Sequence, residues 1–364
     1  MGLDFARGKE YGARMNRQME MVDLHPVRIW LGLVLGMILL IVAVGGITRL
    51  TESGLSMVTW EPILGIIPPL SEAEWERRFD QYRQFPEYQQ LRKGMTMDEF
   101  KVIFFWEYFH RLLGRLLGVI YAIPLFWFWL KKHLDRDLKI KLLTGLFLGG
   151  GQGVMGWYMV KSGLVNDPYV SHYRLAAHLG LAFIVFGYLL WVLLTIQERK
   201  NEWPPASRRS KIWCSTLGLL LCVQILWGAF VAGLNAGYFY NTFPTMQGHW
   251  IAPYWNQLSP LWLNAFDNPI AVQWIHRTLG IFLTLLAMAA WVDLRRDPSM
   301  IELRRTGFSW FIGTLLLQFW LGVFTLVLSV PIALAVMHQV TACILVGLAV
   351  IMNYALFSTH ERHR

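Results

Sequence analysis

Eight apolar runs, each long enough at about 20 residues to cross a bilayer, take up most of this 364-residue chain. They cover roughly 28–48, 102–130, 140–160, 175–196, 211–233, 270–292, 308–330 and 333–357. Backbone N–H and C=O groups in hydrocarbon must be bonded internally, which leaves helices or a closed barrel. The runs are continuously apolar and do not alternate, so they are read as helices. Composition agrees: 55% of residues are hydrophobic and only 16% charged, which excludes an ordinary soluble domain. The 18 tryptophans suit the two membrane–water interfaces.

The formal net charge is +9. Its placement fits topology, and no nucleic acid is expected. Five Lys and Arg precede or open the first run, five lie in 131–141, five in 199–211, four in 295–305 and two after the last run. The 235–269 and 329–333 connections hold none. Basic loops stay inside, so both termini are placed in the cytoplasm. The polar, mixed-charge first 25 residues lack the pattern of a cleaved signal peptide and are read as a cytoplasmic tail. Cys214, Cys222 and Cys343 lie in apolar runs and form no C-x-x-C site.

Two capping-box patterns interrupt the long 50–101 loop, Ser71-Glu72-Ala73-Glu74 and Thr96-Met97-Asp98-Glu99. The first predicts a short helix ending near Pro86, and the second predicts the start of the helix carrying Glu107 and His110. The Trp- and Pro-rich 235–268 loop is read as a cap at the outer interface.

An internal repeat organises the rest. Phe109-His110-Arg111-Leu112-Leu113-Gly114 returns 166 residues later as Ile275-His276-Arg277-Thr278-Leu279-Gly280, and Gln152 returns at the same offset as Gln318. His178 is matched by His338 at 160. The expected fold is therefore an all-α integral membrane protein with eight transmembrane helices in two tandem, pseudo-symmetric four-helix bundles. The expected division is a tail at 1–27, an N-terminal half at 28–198, a linker at 199–211, a C-terminal half at 212–357 and a tail at 358–364.

Each half carries two histidines, His110 with His178 and His276 with His338, near the outer ends of even-numbered helices. Two imidazoles at matched depth on neighbouring helices suit the axial positions of one haem iron. One such histidine is as often a core residue bonded to a carbonyl; a two-by-two repeat makes that reading weak. Zinc lacks a third or fourth ligand. His172 is read as an outer-loop residue, His25, His133, His360 and His363 as solvated on the inner side, and His249 as without a role. Glu107 shares a helix face with His110 and suits proton handling. The plainer reading makes it a partner for Arg111. The second half has Gln273 at the equivalent place, which favours chemistry in the first. Arg49, Arg111, Arg174 and Arg277 lie at outer helix ends and suit haem propionates, with interface anchoring as the alternative. Gly149, Gly150, Gly151, Gly153 and Gly156 crowd one helix; no strand precedes them, so they are not a dinucleotide loop but a face for close packing on a neighbour or a flat macrocycle.

These residues resemble the heme A synthase family of the proteobacterial and mitochondrial type. The resemblance runs from Gly45-Gly46-Ile47-Thr48-Arg49-Leu50-Thr51-Glu52-Ser53-Gly54-Leu55-Ser56 to Met337-His338-Gln339. Between them it rests on Glu107-Tyr108-Phe109-His110-Arg111, Tyr173-Arg174-Leu175-Ala176-Ala177-His178 and Ile275-His276-Arg277. It implies oxidation of the C8 methyl group of heme O to a formyl group, giving heme A for terminal oxidases. His110 and His178 would hold the substrate haem, His276 and His338 would ligate a resident haem b, and Glu107 would be the acidic residue implicated in catalysis. It also implies heme O synthase as partner, an electron carrier, and a bacterial inner membrane or, in a eukaryote, the mitochondrial inner membrane. A homo-oligomer is left open. Branches with a cysteine pair in the first outer loop differ, since this chain has none there. The alternative class is a di-haem b electron-transfer protein that leaves both haems unchanged.

Overall fold

The computed structural model describes residues 23–59, 64–165, 168–197 and 204–357. Most of the expected N-terminal tail, part of the 199–211 linker and the 358–364 tail, with His360 and His363, lie outside the described residues. Eight long helices carry the fold: α1 (His25–Leu50), α2 (Met97–Leu130), α3 (Arg136–Ser162), α4 (His172–Gln197), α5 (Arg208–Gly233), α6 (Pro269–Leu294), α7 (Glu302–Val327) and α8 (Ile332–Phe357). Among the described residues there is no β-strand; one isolated antiparallel bridge joins Met246 and His249. Seven of the eight helices are long and apolar enough to cross a membrane. The other is α3, whose apolar run is diluted by six glycines, Gln152 and its flanking lysines.

Successive helices pack on one another, and α1 also packs on α4 and α5 on α8, closing two rings. One apolar core lies among α1 to α4 and a second among α5 to α8. The rings meet through α1, α4, α5 and α8. At the α4–α8 crossing each helix offers a glycine to the other. A Cβ on Gly187 would meet Val350 at 3.4 Å, and one on Gly347 would meet Phe186 at 3.2 Å. Small residues of this kind allow close helix approach in membranes. Polar bonds also join the rings, toward the ends that carry the 50–101 and 235–268 loops. Arg49 donates to Ala232 O and Asn235 Oδ1, both at 2.7 Å, and Gln339 Nε2 donates to Val42 O at 2.8 Å.

The 50–101 loop folds as expected from its caps. Thr96 and Glu99 form a complete capping box at the start of α2. Ser71 caps the short helix Glu72–Arg83, though Glu74 reaches back to Leu70 N. A second short helix, Pro86–Leu91, follows. Phe79, Tyr82, Phe100 and Phe104 pack into a small aromatic core on the first turns of α2.

One acid is buried in that cap. Glu87 accepts from Tyr82 Oη at 3.1 Å, with Arg92 Nε at 3.9 Å. Burial pushes its carboxyl up to about 7, against the pull of Arg92 and with some help from Glu107 and Glu52. The folded loop thus holds a proton that the unfolded loop releases. The cap is most stable at or below the ordinary carboxylate value and weakens as pH rises toward and through 7. Amide exchange in residues 72–91, corrected for intrinsic rates, should lose protection on the order of tenfold between pH 5 and 8. Glu87→Gln should remove that dependence.

Candidate functional site

All four candidate histidines sit on even-numbered helices, and each packs its ring edge on a glycine of the preceding helix. A Cβ built on Gly45 of α1 would stand 2.9 Å from His110 Cε1, and on Gly156 of α3, 3.0 Å from His178 Cε1. In the second ring the same test on Gly228 of α5 gives 3.0 Å to His276 Cε1, and on Gly322 of α7, 2.8 Å to His338 Cε1. Only hydrogen fits at these four points without moving a ring.

Gln318 O, four residues before Gly322, lies 3.1 Å from His338 Nδ1, while Nδ1 of His110, His178 and His276 is buried with no hydrogen-bond partner. An imidazole that points Nδ1–H at a carbonyl leaves the Nε2 lone pair available, which is the usual arrangement of a metal-ligating histidine. His110 and His178 are close enough to interact electrostatically, as are His276 and His338.

Among the described residues no three His, Cys, Asp or Glu side chains converge, so neither pair belongs to a zinc-type cage. Two neutral imidazoles carried by two helices of one ring suit the two ligand positions of a haem iron. Beside the rings, Gln152 Oε1, Gln224 Oε1 and Gln318 Oε1 are buried without a partner, a place where a polar group is missing. The residues present therefore fit one haem at each pair.

Glu107 is buried at 2% exposure and fully bonded. Oε1 accepts from Arg111, and Oε2 accepts from Ser56 Oγ at 2.7 Å and from Met57 N at 2.6 Å. Arg111 also donates to Met57 O at 2.8 Å and Thr59 O at 3.3 Å. One turn of α2 thereby clamps the loop that leaves α1. Gln273 and Arg277 do the mirror-image work on the loop that leaves α5. Gln273 Nε2 donates to Ala236 O at 2.9 Å and Phe239 O at 2.5 Å, and Arg277 donates to Thr242 O and Thr245 O. Glu107 meets donors and Gln273 meets acceptors. The acid–amide difference thus has a structural cause, and the pairing of Glu107 with Arg111 is present as the plainer reading expected.

The four arginines divide. Arg111 lines a cleft of about 200 Å³ with Met57, Thr59, Trp157 and Lys161. Arg277 Nη1 is buried with no partner. Arg174 donates to Tyr158 O at 2.8 Å and lies 3.7 Å over the Tyr158 ring. Arg49 is spent on the contact between the rings. Of the four, Arg277 is the one with a buried terminal nitrogen that has no partner, and Arg111 is the one that lines a cleft. His172 is not a loop residue: it opens α4 and pairs with Asp267 at 3.1 Å. Gly149, Gly150, Gly151 and Gly153 face open space with nothing within 4 Å of an added Cβ, so they are not a helix-packing face; Gly156 alone of that cluster carries a contact.

Sequence reasoning missed Gly45, Gly228, Gly322, Gln224 and Lys161. A signal for most of them was present. Gln152-x-x-x-Gly156, Gln224-x-x-x-Gly228 and Gln318-x-x-x-Gly322 recur on the helix before a histidine, with Ile41-x-x-x-Gly45 as the variant.

Paired, glycine-cradled histidines on a bundle of long apolar helices define a multi-pass helical membrane protein. Residues 28–350 match the family described as cytochrome oxidase assembly protein, and the chain belongs to that family. It is 44% identical over 333 residues to the heme A synthase of Nitrosospira multiformis, covering 91% of this chain and 93% of the relative. It is 46% identical to that of Rhodospirillum centenum, covering 89% and 86%, and 43% identical to that of Rhizobium meliloti, covering 92% and 91%.

Proposed function

We propose that the chain is a heme A synthase in which the two histidine pairs divide the work. Heme O is the substrate, and its C8 methyl group is oxidised in two stages to the formyl group of heme A. His110 and His178 hold and orient the substrate in the N-terminal half, 28–198. His276 and His338 hold a resident haem b in the C-terminal half, 212–357, and that group supplies one-electron transfer. Arg111 and Arg277 receive propionates at the outer ends. Glu107, fixed by Arg111, Ser56 and Met57, takes up the proton released as the methyl carbon is oxidised. The Ser56–Thr59 strap that it holds limits water at the substrate. The single observation that carries this reading is the fourfold glycine–histidine cradle, repeated on α2, α4, α6 and α8.

The same reading places α3 as the eighth crossing, with the two rings as pseudo-symmetric four-helix bundles. Both termini, the 199–211 linker and the 358–364 tail lie in the cytoplasm, by the distribution of Lys and Arg. The membrane is the bacterial inner membrane, given the bacterial sources of the relatives. Heme O synthase is the partner that delivers the insoluble substrate, and a separate carrier supplies or accepts electrons.

The assignment of the halves is tested by extracting pigments from purified His→Ala variants made with heme O supplied. His110→Ala and His178→Ala should keep haem b and lose heme O and heme A. His276→Ala and His338→Ala should lose haem b. Loss of the same pigment from both sets would contradict the division.

A further inference from the structure

The loops leaving α1 and α5 meet the third helix of their own rings in different ways. In the second ring the contact is closed. Asn241 Nδ2 donates to Gly237 O of the loop and to Leu326 O of α7, both at 2.8 Å. Phe243 sets its ring edge-on to Phe319 of α7, with 5.9 Å between centroids, and Arg277 lies 5.8 Å over the Phe243 ring. In the first ring the same place is open. Phe319 answers, at the repeat offset of 166, to Gly153, which has nothing within 4 Å of an added Cβ. Leu55 packs on Gly163 at the end of α3. Beside that contact lies the cleft of about 200 Å³ lined by Met57, Thr59, Arg111, Trp157 and Lys161.

Charge differs between the rings in step with shape. Among the described residues, Arg277 donates only to the carbonyls of Thr242 and Thr245 and has no carboxylate partner. Its repeat counterpart Arg111 is balanced by Glu107. The uncompensated cation of the first ring is Lys161, which has no ion-pair partner among the described residues and holds its ammonium 5.3 Å over the Trp157 ring. The residue 166 places after Lys161 is Val327. Each ring thus keeps one cation free of a carboxylate, on α6 in the second and on α3 in the first. Lys161 stands five residues beyond Gly156, the glycine that cradles His178, which is about 7.5 Å of helix rise. A haem carries two carboxylates on one edge, and both cations can meet such a group. They do so differently: a fixed guanidinium under a closed loop suits a resident group, whereas an ammonium on a flexible stem at an open cleft suits one that enters and leaves.

We propose that Lys161 is a specificity-determining residue of the substrate site and ion-pairs with one carboxylate of heme O through the open cleft. This rests on the reading of His110 and His178 as the substrate pair. Lys161 touches the substrate's edge and no reacting atom.

The test uses the full chain purified from cells that make no heme O, titrated with heme O and with heme O dimethyl ester and read by the Soret absorbance. The wild-type chain should bind the acid about tenfold more tightly than the ester, the worth of one charged contact. Lys161→Met should lose about tenfold in affinity for the acid and little for the ester, with haem b content unchanged. Lys161→Arg, which keeps the charge, should bind the acid nearly as the wild type does. Equal affinity of the wild-type chain for acid and ester overturns the proposal without any variant, so a failure of Lys161→Met to fold does not remove the test. Equal affinity of the wild type and Lys161→Met for the acid also overturns it, and both results leave the assignment of the pairs intact. Phosphatidylglycerol added to the micelles should not alter heme O affinity. A loss of affinity on its addition that Lys161→Met abolishes makes a lipid phosphate the occupant and overturns the proposal. A chain that takes up no heme O in any form overturns the assignment of the pairs, and the proposal with it.

Discussion

Gly322→Val and Gly228→Val should each strip haem b from the C-terminal pair, with retention reduced by about 10- to 100-fold, the range seen when the groups that orient a metal ligand are disturbed. A Cβ alone at Gly322 would sit 2.8 Å from His338 Cε1, already closer than a real Cβ contact. Valine adds two methyl groups to that clash. Retreat of the ring from that helix is not free, because it would stretch the contacts that Gln318 of the same helix makes to this edge, O at 3.1 Å from Nδ1 and Nε2 at 3.3 Å from Nε2. Overpacking of this kind costs about 1–3 kcal/mol when neighbours can shift, and here the neighbour that shifts is the ligand. Alanine should give intermediate retention. The measurement is the low-spin haem absorbance per protein, with helix content by circular dichroism as the control. Full haem b content in Gly322→Val would remove the cradle from the site.

The cradle also shows where the sequence was legible and where it was not. Long apolar runs are local signals, so α1 to α8 fall where composition places them; each helix needs only its own residues to satisfy its backbone. The Thr96–Glu99 cap was legible for the same reason: both partners lie within one turn. The histidines were legible because they repeat. The glycines that hold them were not, since each lies on a different helix, and one glycine in an apolar run looks like any other. Glu107 shows the limit most clearly. Its bond to Arg111 lies within a turn and was foreseen, but Ser56 and Met57 reach it from about fifty residues away. Their donor character, against the acceptors Ala236 O and Phe239 O around Gln273, depends on how the loops after α1 and α5 fold. Nothing in the α2 sequence encodes that.

Glu107→Gln should lower heme A formation by about 100-fold or more, the contribution expected when a positioned proton acceptor is lost. The amide cannot satisfy the frame. It faces Arg111, Ser56 Oγ and Met57 N–H, all donors in the present pairing, and brings a donor of its own. Glu107→Ala should be worse. Met57 N–H would then lack its acceptor and Arg111 its carboxylate, and removing one partner from a buried charge pair costs about 3–5 kcal/mol, enough to loosen the Ser56–Thr59 strap. Two readouts separate proton handling from clamping. Glu107→Gln should still bind heme O and haem b at near wild-type content while heme A disappears. Loss of heme O together with heme A would make the clamp the whole explanation. Normal heme A accumulation would end any role for the carboxylate.

The most direct measurement is pigment extraction from the purified full chain, made in cells that supply heme O but contain no other source of heme A. A synthase with a resident haem b should yield haem b together with heme O and heme A, and heme A should grow with time as heme O falls. Haem b alone at both pairs, with added heme O recovered unchanged, would contradict the proposed function and leave a two-haem electron-transfer protein in its place.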